Sequence, residues 1–300
     1  MRFSAHSSCI PPKHASRCGA AFLLVLVILV VTAGLVSAFQ HHQAGKTIEL
    51  RMERAKVEVR GGLLLGLSEG MRAWAADEDP DVSHPAEPWA ESFSFETEDG
   101  VKVRVSFEDL QGRFNLNWLT LPEEFFGIRG AGDIFRALLA VHGLRADAQT
   151  LSHFREEGQP LRTPGEWLAR YPESAEWLRA TEAGDPFQHL ATLPTPPASI
   201  TPLNLNSASP AVLRALVGDA FAAWVDTVER MREHDPIRSL HTVLDPLPVD
   251  LQNALRPLLD VRTRFVEVRV EAEYDLTVNT LRAVLVRGEQ GLVEVRSCRW

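Results

Sequence analysis

Hydrophobic residues change their rhythm several times along this chain. From Ala20 to Phe39 they run on as AAFLLVLVILVVTAGLVSAF, without a charged side chain. A helix of that length rises roughly 30 Å, about the thickness of a bilayer core. From Lys46 to Trp74 the rhythm becomes helical. Ile48, Met52, Ala55, Val59, Leu63 and Leu67 recur every three or four residues, with Glu and Arg between them. The pattern predicts one long helix, apolar in its first half and amphipathic in its second, with Gly61-Gly62 as the place for a bend.

The rhythm then shortens. Residues 77–90 are rich in Asp and Pro and read as a loop. Phe93 and Phe95 alternate with polar residues, and Val101, Val103, Val105 and Phe107 do the same. Glu98-Asp99-Gly100 between the two runs predicts a hairpin. Residues 121–262 return to helical spacing, with helices expected around 131–143, 147–156, 164–171, 174–182, 209–217, 219–233 and 248–260. Thr163-Pro164-Gly165-Glu166 fits a helix start, Thr as cap and Glu reaching back, and Ser209-Pro210 repeats its first two elements. Leu193-Pro194-Thr195-Pro196-Pro197 is a connector inside this block. Strand alternation resumes at Val266, Val268, Val270, Ala272 and Tyr274, and further runs follow at 276–287 and 292–298.

Strands split by a helical block most simply make one sheet, because an isolated hairpin is marginal in water. The fold class expected is α+β: a long N-terminal helix on a small antiparallel sheet, with an all-α domain inserted between strands. The divisions expected are 1–19, 20–39 as a membrane span, 40–120 together with 263–300 as the α/β part, and 121–262 as the insertion.

Charge narrows the function classes. The chain has a net charge of −9, yet Arg2, Lys13 and Arg17 stand before the apolar run with no acid among them. Basic residues on that side alone place the N-terminus in the cytoplasm and the body outside it. An acidic body does not suit a binder of phosphate backbones. Cys9 and Cys18 precede the apolar run, so a chain cleaved there keeps only Cys298, with no disulfide framework or CxxC metal site. Cys298 reads as a plain side chain of a C-terminal strand.

The apolar run has three possible fates. It is an uncleaved anchor, or a signal peptide cut after Val36-Ser37-Ala38, or the helix left behind when a leader is cut after Gly19. Signal peptides usually have shorter apolar regions, of about 7–15 residues. Arg17-Cys18-Gly19-Ala20-Ala21-Phe22 has the layout of the third fate.

With these features in order, the chain resembles the K-type minor pseudopilins of bacterial type II secretion systems over almost its whole length. The resemblance is carried by the leader pattern at Gly19 and by Gly112-Arg113-Phe114-Asn115-Leu116-Asn117 after the first strands. It is carried also by Pro202-Leu203-Asn204-Leu205-Asn206-Ser207-Ala208 leading into Val212-Leu213-Arg214-Ala215-Leu216, and by the helical insertion between strands. It implies that prepilin peptidase cuts after Gly19 and methylates Ala20. It implies a single-pass inner-membrane protein with a periplasmic body, no catalysis and no required cofactor. Its partners would be the I-, J- and H-type minor pseudopilins, the peptidase and the inner-membrane secretion platform. Most pseudopilins carry Glu at the fifth mature position, where this chain has Leu24. The resemblance ties that departure to a subunit at the tip, which has no neighbour above it to pair such a carboxylate.

Other chemistries leave less trace. Phe114, Asn115, Asn117, Asn204 and Asn206 read as structural, because Asn in such places bonds backbone and sets turns. The second Asn segment is similar to the opening of helix-hairpin-helix DNA-binding modules, but Val217-Gly218-Asp219 puts an acid where phosphate would lie. No GxSxG, HExxH, P-loop or Cys–His signature is present, and the His residues have no ligand spacing. Two acidic clusters, Asp77, Glu78, Asp79 and Asp81, and Glu96, Glu98 and Asp99, leave calcium open without an EF-hand spacing. The alternatives are an anchored helix-hairpin-helix DNA-binding protein and an anchored periplasmic enzyme.

Overall fold

The computed structural model describes residues 15–127, 129–172, 186–194, 200–288 and 291–300. The helix expected at 174–182, residues 1–14 of the expected leader and Thr195 to Pro197 of the connector lie outside the described residues. The chain divides into two compact units, residues 1–57 and 58–300.

In the first unit the described residues belong to α1 (Ala15–Ala75), which begins there and ends in the second unit. Phe22 to Phe39 stand exposed, as do Ile48 and Met52, so the amphipathic pattern gives no buried face at those last two positions. Thr32 donates from Oγ1 to the carbonyl of Ile28, a bond that lets a hydroxyl sit in an apolar helix.

In the second unit, helical structure runs unbroken through Gly61-Gly62, where the sequence suggested a bend. The glycines serve another purpose. A Cβ on Gly62 would lie 2.7 Å from Val101 Cγ1, and one on Gly66 would lie 2.8 Å from Val103 Cγ1. Gly62, Gly66 and Gly70 thus form a bare stripe that lets the helix lie close on the sheet, at about 1 kcal/mol of helix propensity per Gly.

Among the described residues, that sheet has β1 (Phe93–Glu96), β2 (Lys102–Asp109), β7 (Phe265–Tyr274), β8 (Thr277–Arg287) and β9 (Val293–Arg299) in the order β1-β2-β7-β8-β9, every pair antiparallel. The β1–β2 hairpin turns at Gly100, whose φ of 81° suits glycine. Val59, Leu63, Leu67 and Trp74 of α1 bury against Val103, Val105, Val268, Val270 and Leu281. A buried ion pair joins the helix end to the sheet: Arg287 Nη1 lies 2.7 Å from Asp77, and its guanidinium lies over the Trp74 ring.

Between β2 and β7 the chain builds a second core. It contains α2 (Ala131–Val141), α3 (Ala148–Glu157), α4 (Pro164–Arg170), α5 (Pro210–Val217), α6 (Ala222–His234), α7 (Leu240–Leu244) and α8 (Val249–Leu255). Phe114, Trp118, Phe135, Phe154 and Trp167 stack at its centre, with Leu213 and Val225 packed in the same cluster. The caps read from sequence are present: Thr163 Oγ1 accepts from the Glu166 amide, and Ser209 Oγ from that of Val212. Helix α7 has no counterpart in the periodicity. Helix α8 ends at Leu255, short of the expected 260, because Leu259-Asp260 form the short strand β6.

Candidate functional site

Gly19 and Ala20 lie within α1, and Leu24 follows on the same helix, 63% exposed. Among the described residues, one helix is long and apolar enough to cross a bilayer. Its most apolar stretch has a mean hydropathy of 2.9, and none of that stretch is buried. An exposed apolar surface of this extent calls for lipid or protein around it.

The two Asn-Leu-Asn segments are built alike. Strand β3 (Phe114–Asn115) pairs in parallel with β4 (Leu190–Ala191), and β5 (Leu203–Asn204) pairs in parallel with β6 (Leu259–Asp260). In each, the first Asn accepts from the amide of the second: Asn117 N lies 3.1 Å from Asn115 Oδ1, and Asn206 N lies 3.0 Å from Asn204 Oδ1. The second Asn then grips distant backbone with both ends of its amide. Asn117 accepts from Leu161 N at 2.6 Å and donates to Leu161 O at 2.9 Å. Asn206 accepts from Ile237 N at 2.8 Å and donates to Ile237 O at 3.0 Å. Leu161 and Ile237 each lie just before a short helix, α4 or α7. The turn-setting role expected from sequence is local; these bonds also span 44 and 31 residues of chain.

The first Asn of each segment marks the difference. Asn115 pairs with both backbone groups of Leu193, inside the helical block. Asn204 donates to the carbonyl of Ser83 at 3.0 Å and to the carboxylate of Asp109 at 2.7 Å. Asp109 ends β2 and is half-buried, and it accepts also from the Gln111 amide and the hydroxyls of Ser207 and Thr263. Burial pushes its carboxyl above the usual range, and the hydrogen bonds from Ser207, Thr263, Gln111 and Asn204 pull against that. Gln111 adds bonds to Pro202 O and from Arg264 N. Asp109, Gln111, Ser83 and Thr263 carry no signal in the sequence, because apart from the Asp109–Gln111 bond their partners here lie 90 or more residues away.

A cavity of about 400 Å³ opens beside this hub, bounded by His84, Trp89, Phe107, Asp109, His189 and Ser209. Nearby, Glu87 accepts from the His84 amide and from Trp89 Nε1. Burial lifts its carboxyl to about 7, against the pull of those bonds. His84 is held below its ordinary value by burial first and by Arg238 second. Three of the four acids of the first cluster face arginines: Asp77 with Arg287, Asp79 with Arg238, Asp81 with Arg262. Among the described residues, no three His, Cys, Asp or Glu side chains gather as metal ligands. Cys298 is exposed on β9.

These features meet known proteins in two comparisons. Over 129 residues the chain is 31% identical to the type II secretion system protein K of Pseudomonas aeruginosa. The match covers 42% of this chain and 38% of that protein, so it spans well under half of the relative's length. One chain of the solved GspK-GspI-GspJ complex from the type 2 secretion system of enterotoxigenic Escherichia coli superposes with a TM-score of 0.61, over 82% of this chain and 98% of that one, at 15% identity. This chain shares that fold. It is mixed α/β, with a long N-terminal helix and an antiparallel sheet. No family model matches the chain.

Proposed function

We propose that this chain is a K-type minor pseudopilin, a membrane-anchored and non-enzymatic subunit at the tip of a type II secretion pseudopilus. The observation that carries the reading is the fold it shares with a chain of the GspK-GspI-GspJ complex. Its sequence likeness to a type II secretion protein K supports the same reading. In this account residues 1–19 are a leader removed after Gly19, and 20–39 span the inner membrane from a cytoplasmic start. Residues 40–120 and 263–300 form the pilin-like part. Residues 121–262 are an inserted helix-hairpin-helix-like block that caps the tip. Leu24 in place of a carboxylate suits a subunit with no neighbour above it. No cofactor is needed for such a role. Phosphate-backbone binding is not expected of a chain with this charge.

Packing supplies the mechanism. Apolar helices associate laterally in a membrane by close contact, and the soluble parts then stack outside it. The test is co-expression with the I- and J-type subunits of the same organism, followed by detergent extraction and purification on a tag carried by this chain. Recovery of a stoichiometric ternary complex is expected. Recovery of this chain alone, while the I- and J-type subunits still pair with each other, would contradict the proposal.

A further inference from the structure

A charged surface lies beside the first Asn junction, whose Asn117, Leu161 and Leu193 help to line it. A cleft of about 910 Å³ is lined by Leu161, Arg162, Arg170, Leu193, Pro194 and Arg296. A smaller recess of about 70 Å³ shares Arg162, Leu193 and Arg296 with it, and adds Arg113 and Arg299. Five arginines therefore border one groove between the helical block and β9. The chain as a whole carries −9, so this concentration runs against its composition.

The charges divide into those with partners and those without. Arg113 pairs with Glu108, and Arg170 with Glu157. Of the acids on the groove, Glu166 accepts from the Arg162 amide and Glu267 faces Arg282. Among the described residues, no carboxylate lies within ion-pair distance of the Arg162, Arg296 or Arg299 side chain. Like charges set close together in a concave site raise a field that draws anions. Guanidinium forks match carboxylates two bonds at a time.

Backbone geometry says what shape the anion takes. Strand β9 ends the sheet, and among the described residues nothing pairs with its outer side. Its pairing with β8 passes from Val284–Ser297 to Leu285–Val295 and skips Arg296, which is therefore the extra residue of a bulge. A bulge re-aims its side chain, and Arg296 lines the groove. An open edge takes an extended polypeptide through main-chain hydrogen bonds. Every second side chain of such a strand would face the arginines. The floor is fixed, because Leu161 is gripped by Asn117.

We propose that this groove docks an acidic, extended segment of another polypeptide, added as a strand along β9, with alternate carboxylates on Arg162, Arg296 and Arg299. A nucleic-acid strand fits less well: the groove is walled by Leu and Pro and offers no aromatic face for a base among its described residues. The inference does not depend on the role in secretion.

The test uses the full chain in detergent and a fluorescein-labelled peptide of alternating Glu and Thr, eight residues in all, with binding followed by anisotropy. The expected result is saturable binding that weakens about tenfold or more when Glu is replaced by Gln, or in Arg162→Ala and Arg296→Ala. Raising salt from about 0.05 to 0.5 M should weaken it too. Both arginines are exposed, so an unchanged circular-dichroism melt is expected of the variants. Hydrogen exchange should slow at β9 amides when the peptide is bound. The proposal is overturned by no binding up to about 1 mM, by equal affinity for the Gln peptide, or by arginine variants that bind as well as the parent. It is also overturned if an oligothymidylate binds more tightly than the peptide with the same dependence on Arg162 and Arg296.

Discussion

The two Asn-Leu-Asn junctions share a local design and differ in what they hold. The first closes the helical block on itself: among the described residues, the side chains of Asn115 and Asn117 bond to the Asn117 amide and to the backbone at Leu161 and Leu193. The second reaches out. Asn206 grips Ile237, while Asn204 turns to Ser83 and Asp109, which belong to the loop after α1 and the end of β2. One motif therefore makes a domain rigid, and its copy fastens that domain to the sheet. The lesson is that the unit of function here is the Asn pair plus its long-range partner.

The largest test of the difference is Asp109→Ala. It strands donors from Ser207, Thr263, Asn204 and Gln111 at a half-buried carboxylate, so a loss of about 3–5 kcal/mol is expected from urea unfolding in detergent. A loss below about 1 kcal/mol would mean that the hub does not fasten the sheet. Next come Asn117→Ala and Asn206→Ala, at about 2–4 kcal/mol each. Asn117 should cost more, because it satisfies the Leu193 carbonyl as well as both groups of Leu161, and Asn206 serves Ile237 alone among these backbone partners.

A double-mutant cycle sharpens the contrast at smaller scale. Asn204→Ala should couple to Asp109→Asn by about 1 kcal/mol, and Asn115→Ala should couple to it by less than about 0.5 kcal/mol. Equal couplings would erase the distinction between the junctions.

A last test is pH, which acts beside the second junction rather than through its bonds. Glu87 has its folded pKa raised from 4.5 to about 7, so between those values the folded chain holds a proton that the unfolded chain has lost. Its contribution to stability is present at low pH and is lost as pH rises from about 4.5 through 7. Asp109, also raised, acts in the same sense. His84 is held below 6.5 and acts oppositely, its contribution falling away as pH drops beneath that value. Subtracting the melting profile of Glu87→Gln from that of the parent isolates the Glu87 part. A difference that grows with pH would contradict the assignment.

Much of the fold is legible in the sequence because it rests on local periodicity. Alternating Val in β2 and β7, the turn at Gly100 and the caps at Thr163 and Ser209 are all short-range signals. The misses share a cause. Helix α7 and the two-residue strands β3 to β6 are too short to show a period, and the bonds at Asn117, Asn206 and Asp109 join residues 31 to 154 positions apart. Gly62 misled because a bend and a close approach both call for glycine; only the nearness of Val101 separates them. The Asn pairs were visible as motifs, but their partners at Leu161, Ile237 and Ser83 were not, since no sequence feature marks a backbone acceptor.

The proposed role rests on a cut after Gly19 that leaves the apolar run on the mature chain as a pilin-like helix. The direct measurement is the mass of the N-terminal peptide after expression with a prepilin peptidase that cleaves a known substrate in the same cells. A methylated start at Ala20 is expected. A start at Phe39, or an intact Met1, would contradict it.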